Sequence, residues 1–363
     1  MHKHVDIIVT GSGSLATEVM HGLARTATGA LSIAVVGRDP DRLAALARSA
    51  EELATQSRLT VHPIVIDWSD DDLIRRVIGE LQARVLVHTA SLQSPWTVDG
   101  TDGWSRLIQS QGFGLTVPLQ AALALKVARA IASESAETAL VNGCYPDAVN
   151  RILSVNGLNV AAGLGNVAIL AALLTNGLPA RLTDGRHLRV VAHHGHLAAV
   201  HDKRQLNPAM RVWLDEQPID EEAASWLSSA PLQRNLNSVT GPIAAPMLLA
   251  LARRVPFWRG HAPGPLGLPG GYPVFVDNGR VQLDLPHDIT LAEAQAINKG
   301  GALADGIVID DNGQASLSDA AREALETSAP DEVQYIASWH ASEVEDRAMR
   351  LLALRERLGG QST

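Results

Sequence analysis

"VDIIVTGSGSLATEVMHGLA", residues 5–24, decides how the first half of the chain is read. Residues 5–10 form a short run rich in β-branched side chains, which predicts a buried strand. Residues 17–27 carry apolar side chains at helical spacing. Between them Gly11, Gly13 and Ala16 complete the pattern G-x-G-x-x-A, with Ser12, Ser14 and Leu15 in the intervening places. Gly11 permits a tight turn, and Gly13 lets backbone approach a phosphate. Ala16 is small enough for the helix to pack on the strand, and the helix N-terminus favours negative charge. Such a triplet is weak evidence alone. Set between a strand and a helix, it predicts a site for the pyrophosphate of a dinucleotide.

The alternation continues outward. Strands are predicted at 31–36, 61–66, 84–88 and 138–141, with helices starting at Asp39 and Asp70 and another at 117–132. Strands and helices alternating at this spacing predict an α/β fold with an N-terminal, doubly wound parallel sheet of Rossmann type, over residues 1–155. An α+β domain is expected over 156–330, with a strand at 158–162, a helix at 166–174, a strand at 188–192 and an apolar helix at 242–253. Strands at 274–276 and 281–285 flank Asp277-Asn278-Gly279, a hairpin signal that recurs at Asp311-Asn312-Gly313. Residues 331–358 read as one long amphipathic helix, a C-terminal unit of 331–363.

The second strand ends in "VVGRDPDRL", residues 35–43. Folds that prefer NAD place an acid there to accept from ribose hydroxyls. Here Gly37 leaves room, and Arg38 offers a guanidinium that pairs with phosphate; Arg42 stands one helical turn on. The reading is NADP(H), with NAD as second choice. Asp39 and Asp41 leave two roles open, capping the helix or accepting from ribose. Arg38 has its own plain alternative as a solvated surface side chain.

A formal charge of −9 with thinly scattered basic residues argues against a nucleic-acid partner. Cys144, the only cysteine, excludes an intramolecular disulfide and fits a reducing compartment. The start "MHKHVDIIVTGSGS" has no secretory apolar region, and no run of eighteen apolar residues occurs, so the expectation is a soluble, cytoplasmic protein that does not enter membranes.

Three further stretches carry chemistry: "VNGCYPD" (141–147), "GLGNVAI" (163–169) and "VVAHHGHL" (190–197). Their order, with "GGYPVFVDNGRVQLDLPHDITLAEAQAI" (270–297), resembles the lactate/malate dehydrogenase superfamily, including its NAD-dependent glycosidase branch. "VVAHHGH" resembles the strand end that carries the proton-transferring histidine of the dehydrogenases. "VHTASLQSPW" (87–96) stands where they carry Thr-Ala-Gly and a mobile substrate loop, which implies Thr89 and Ala90 beside the cofactor. By the dehydrogenase alignment the acid/base is His194; by the glycosidase alignment it is His196. The resemblance implies Arg106 as a substrate-polarising arginine and places Asn142 and Tyr145 near the nicotinamide. It also implies an orienting aspartate and a carboxylate-clamping arginine within 166–174, and neither residue type occurs there. The metal-binding cysteine of the glycosidase branch falls at Gly165, so no metal site is assigned; the histidines with Cys144 make a poor zinc set.

Asp147 is a candidate to orient a histidine. Trp96 and Trp104 bracket the expected loop, and Arg234 is a candidate for the cleft. Cys144 reads as a small buried residue, not a nucleophile. The expected activity is hydride transfer between NADP(H) and a C=O or C=N group of a small molecule, with a histidine donating the proton. The alternatives are transient oxidation with elimination, as in the glycosidase branch, and nucleotide binding without turnover. The resemblance and the apolar helix at 242–253 suggest a homodimer or homotetramer.

Overall fold

The computed structural model describes residues 4–93, 100–135, 137–229 and 236–359. It opens with β1 (Ile7–Thr10), buried along its whole length as a central strand covered on both faces must be. There follow α1 (Ser14–Thr26), β2 (Gly29–Gly37), α2 (Pro40–Leu53), β3 (Ser57–Val65), α3 (Asp71–Leu81) and β4 (Val85–His88). Next come α4 (Gly103–Gln111), α5 (Val117–Glu134), β5 (Ala139–Asn142), α6 (Pro146–Val155) and β6 (Ala162–Gly163). The six strands pair in parallel in the order β3-β2-β1-β4-β5-β6. The order reverses between β1 and β4, the switch point at whose carboxyl ends sheets of this kind bind their ligands.

Local sequence explains the helix starts. Asp39 and Asp70 accept backbone N–H bonds at the first turns of α2 and α3, and Pro40 takes the first position of α2. The strand expected at 158–162 is reduced to β6, because the Leu158 N–H closes the end of α6 on Leu153 O at 3.0 Å. β6 still belongs to the parallel sheet, which therefore runs past the expected boundary at residue 155.

The second half contains α7 (Val167–Gly177), α8 (Ala180–Thr183), β7 (Leu188–Val191), α9 (His194–His201), β8 (Arg211–Leu214), β9 (Gln217–Pro218), α10 (Asp220–Ser229) and α11 (Asn237–Leu251). It continues with β10 (Phe257–Pro263), β11 (Gly271–Asp277), β12 (Arg280–Leu283) and α12 (Leu291–Ala304). The Asn278-Gly279 turn joins β11 to β12 with φ of 49° and 79°, the positive pair that a two-residue hairpin of this kind needs.

The tail departs from expectation. After β13 (Ile307–Ile309) and β14 (Gln314–Leu317) come α13 (Asp319–Ser328), the short α14 (Val333–Ile336), β15 (Ser338–His340) and α15 (Val344–Gly359). The single helix expected over 331–358 is thus broken by a strand. Trp339, 3 % exposed, is drawn into β15 beside Ala315 of β14, and His340 with Glu343 then caps the restart. α15 lies on α4 and α5, where Leu351, Leu354 and Leu358 join Trp104, Leu107 and Leu119 in one apolar cluster. The segment Phe113–Glu134 is long and apolar enough to cross a membrane by length and composition; 83 % of its most apolar window is buried inside the protein as core.

The apolar helix expected to meet a partner subunit is α11, and its apolar face is covered within the chain. It packs along α1 with backbones nearly touching: a Cβ on Gly22 would lie 2.6 Å from Gly241 O, and one on Gly241 2.2 Å from the Glu18 carbonyl. Only glycine fits at this crossing. Gly241→Ala is expected to destabilise the fold by about 1–3 kcal/mol through overpacking. A lowered midpoint in denaturant titration is the expected result, and an unchanged midpoint would contradict the close approach.

Candidate functional site

Gly11 leaves β1 at φ 106°, and a Cβ there would meet Thr89 Oγ1 at 2.6 Å. Thr89 donates to Thr10 O at 2.7 Å, which ties the segment after β4 to the end of β1. Gly13 precedes α1, whose first turn has neither a side-chain cap nor an acid, and the space where its Cβ would sit is open. The free N–H groups and open backbone suit a bound anion. Ser12 is half-buried; Ser14 is exposed and accepts from Asn237 Nδ2 at 3.0 Å. Leu15 reaches toward Gly143, so close that a Cβ on that glycine would lie 2.7 Å away. Ala90 O accepts from Cys144 Sγ at 3.3 Å. Gly37 ends β2, and Arg38 beyond it is exposed, with no hydrogen bond or ion pair to the described residues. Asp39 is committed to the α2 cap at 3.1 Å from the N–H groups of Asp41 and Arg42, and the Arg42 side chain lies 3.4 Å from it. These residues follow the carboxyl ends of the neighbouring strands β2, β1 and β4, and their open backbone and free donors suit a dinucleotide.

The histidines sit where β7 gives way to α9. His194 Nδ1 lies 2.6 Å from Asp305 Oδ2, and Tyr145 donates its hydroxyl to the same carboxylate oxygen. Tyr145 and Phe113 pack against the His194 ring, with centroids 5.3 and 5.8 Å away. Asp147 accepts the His194 backbone N–H at 3.0 Å and also accepts from Asn166 Nδ2. Asp147 therefore fixes the backbone of His194, while the ring is oriented by Asp305, which the sequence reading missed. Burial lowers the affinity of His194 for its proton. The charge and hydrogen bond of Asp305, with the charge of Asp147, outweigh burial, and the pKa is raised above the ordinary 6.5. Burial raises the Asp305 pKa, but the charge and hydrogen bond of His194 overcome it and hold the carboxyl below its ordinary value. The Tyr145 phenol is pushed well up by burial and by Asp305, so it remains a neutral donor.

No protein-family model matches the sequence, and no curated protein matches it. Among solved structures, MGS-M5, a lactate dehydrogenase from a Medee basin deep-sea metagenome library, is similar over 92 % of this chain and 100 % of its own, at 11 % identity and TM-score 0.51. This chain has a lactate/malate dehydrogenase-like fold. The malate dehydrogenase of Picrophilus torridus aligns over 83 % of this chain and 97 % of its own, at 15 % identity and TM-score 0.49. A saccharopine dehydrogenase from Saccharomyces cerevisiae matches 38 % of this chain at 17 % identity and TM-score 0.24, and the chain spans 21 % of its length.

Within the lactate/malate dehydrogenase-like fold, the other expected residues fall in different places. His196 is inward and 2 % exposed; Nδ1 accepts the His193 N–H at 3.0 Å, and Nε2 lies 3.1 Å from Pro208 O. His196 caps α9, both of its ring nitrogens are engaged within the chain, and burial pushes its pKa down to about 4, an arrangement at odds with the expected acid/base role. His193 accepts the Gly195 N–H at 3.0 Å and is likewise buried. Asn142 is fully buried: its amide nitrogen donates to Cys144 O and Asn150 Oδ1, and its oxygen accepts from Cys144 N. It shapes the turn after β5. Arg106 is exposed and donates to Thr101 O, turned to its own loop. Cys144 is buried, and its thiol is pushed up to about 12 by burial, which leaves it inert. Trp104 is core. Trp96 and Arg234 lie outside the described residues.

A pH dependence follows from the His194–Asp305 pair. The raised pKa of His194 means that its contribution to stability is complete below about pH 6.5 and is lost as pH rises through the folded-state value. NMR titration of the His194 ring should give half-protonation above 6.5, and Asp305→Asn should lower it, since burial then acts with less opposition. An unchanged titration in the variant would refute the assignment of Asp305.

Proposed function

We propose that the protein is an NADP(H)-dependent oxidoreductase that transfers hydride to a C=O or C=N group of a small molecule. The observation that carries this reading is the His194–Asp305 pair at 2.6 Å, in a fold whose strand-order reversal suits a dinucleotide. Gly11, Gly13 and the first turn of α1 would hold the pyrophosphate, and Thr89 and Ala90 follow the neighbouring β4. Arg38, lacking any partner in the described chain, supports the choice of NADP(H), because Asp39 caps α2 and leaves the guanidinium to a 2′-phosphate. When bound, the reduced nicotinamide supplies a hydride.

The chain's own part is proton delivery and orientation. Asp305 accepts from His194 Nδ1–H, which fixes the ring and leaves Nε2 to give a proton to the substrate oxygen or nitrogen as charge develops there. The Tyr145 hydroxyl and the Gly114 N–H, which donates to Asp305 O at 2.8 Å, hold the orienting residue in place. The α7 segment, "VAILAALLTNG", supplies no arginine to clamp a carboxylate, so the reading does not require a 2-oxo acid.

Calorimetry should show tighter binding of NADPH than of NADH, with Arg38→Asp costing NADPH about ten- to a hundredfold. Equal affinities in the wild type would refute the cofactor choice. NADPH consumption with a panel of carbonyl and imine compounds identifies turnover. His194→Asn should then lose about 10²–10⁴-fold in rate while cofactor affinity stays nearly unchanged. Full activity in that variant would remove His194 from the reaction.

A further inference from the structure

The chain leaves β6 through Gly165 and Asn166, both at positive φ, 91° and 43°. For Asn166 the ψ of −102° lies outside the left-handed well, a backbone setting that persists only where its surroundings enforce it. Leu164 N–H donates to Asn142 O at 3.0 Å, so this turn sits beside the carboxyl end of β5. On its other side stands the start of α11. A Cβ on Gly165 would meet Thr240 Oγ1 at 3.6 Å, and Asn237 of the same helix donates to Ser14 at the start of α1.

Asp147 links Asn166 to the histidine. One carboxylate oxygen accepts the His194 N–H at 3.0 Å, and the other accepts from Asn166 Nδ2. A carboxylate oxygen accepts and does not donate, so the amide nitrogen is the atom turned to Asp147. Asn166 stands at the N-cap of α7, where an asparagine usually caps its own helix, yet its side chain makes no cap. It is half-buried, and its Oδ1 takes no hydrogen bond from the described residues. An unused amide oxygen calls for a donor, and a substrate carboxylate has none. The charged groups that act on His194 from the described chain are the carboxylates of Asp305 and Asp147, which disfavour a second anion there. An ammonium group would need acceptors for three N–H groups, while both Asp147 oxygens already carry a donor. A hydroxyl needs one acceptor.

We infer that Asn166 is a specificity residue and that the substrate is an α-hydroxy ketone, whose hydroxyl donates to Asn166 Oδ1 while its carbonyl oxygen faces His194 Nε2. One carboxylate holds both residues, so the two groups they meet fall on neighbouring carbons. This rests on the oxidoreductase reading and narrows its substrate. The carbonyl carbon gains the hydride, its oxygen gains the His194 proton, and a vicinal diol leaves with the nicotinamide oxidised.

The test compares NADPH consumption by the wild type with hydroxyacetone and with butanone, ketones of equal size that differ by one hydroxyl. Hydroxyacetone should show a kcat/KM higher by about tenfold or more. Asn166→Gly removes the amide at a position whose φ suits glycine, and calorimetry with NADPH checks that the variant is folded. The preference should then fall close to unity, because both ketones still use His194 and general damage to the site cancels in the ratio. Equal kcat/KM for the two ketones in the wild type, or a preference that survives in Asn166→Gly, would overturn the inference. Pyruvate or aminoacetone turned over faster than hydroxyacetone would reassign the substrate to an acid or an amine and overturn it as well. These wild-type comparisons decide the substrate class even where the variant fails to fold. Turnover of other carbonyl compounds without hydroxyacetone defeats this inference alone. Absence of turnover across the whole carbonyl and imine panel defeats the oxidoreductase reading, and this inference with it.

Discussion

A buried carboxylate at the end of a helix is an unfavourable group, and Asp305 is one. It caps the C-terminal end of α12, where the helix already presents partial negative charge, and it is 2 % exposed. It is tolerated because two side-chain donors, His194 and Tyr145, converge on one oxygen, while its backbone carbonyl receives Gly114 N–H. Those donors come from the β7–α9 junction, the turn after β5 and the segment before α5. Asp305 thus joins α12 to three other parts of the chain, two through its carboxylate and one through its backbone carbonyl, that no hydrophobic pattern would have joined. Its neighbours Gly112 and Gly114 show how tight the junction is: a Cβ at either would lie 2.7 Å from Asp305 O.

This arrangement gives the histidine its chemistry by a different route from the one the family resemblance implied. The orienting acid was expected on the helix at 166–174, and that helix is wholly without one. Asp147, the substitute considered from sequence, holds the backbone of His194. The ring partner arrives from α12 instead, 111 residues further along the chain. A carboxylate stands beside the histidine all the same, but it comes from another element. α7 likewise carries no arginine, so it places no fixed positive charge near the histidine.

What could be read in advance follows from the range of the interactions involved. The glycine loop, the Asp39 and Asp70 caps and the Asn278-Gly279 hairpin depend on neighbours within a few residues, and each stands where its pattern put it. The pairing of His194 with Asp305 depends on tertiary closure, and an aspartate before a glycine in "ALADGIV" looks like an ordinary helix stop. Its only signal was its sign, an acid at the end of a helix that prefers a base. The three histidines were indistinguishable by type. Capping geometry separates them, since α9 begins at His194 and turns His193 and His196 into its cap. The break in the last helix was hidden for a similar reason: residues 331–358 keep an amphipathic pattern, and only the free edge of β14 recruits Trp339 into a strand.

The glycine crossing of α1 and α11 bears on how the molecule can move. Ridges of side chain normally let two packed helices slide or rock by small amounts, whereas backbone seated against backbone leaves little slack. Val19, Met20 and Leu23 of α1 share one apolar cluster with Leu248, Tyr272 and Val274 from the second half, so the two halves have no separate cores to act as rigid lobes. A clamshell motion that parts the two halves at the switch point would have to tear that common core. Any molecule that enters there does so with the two halves held as one body, and α1 with its glycine turn stays fixed against α11.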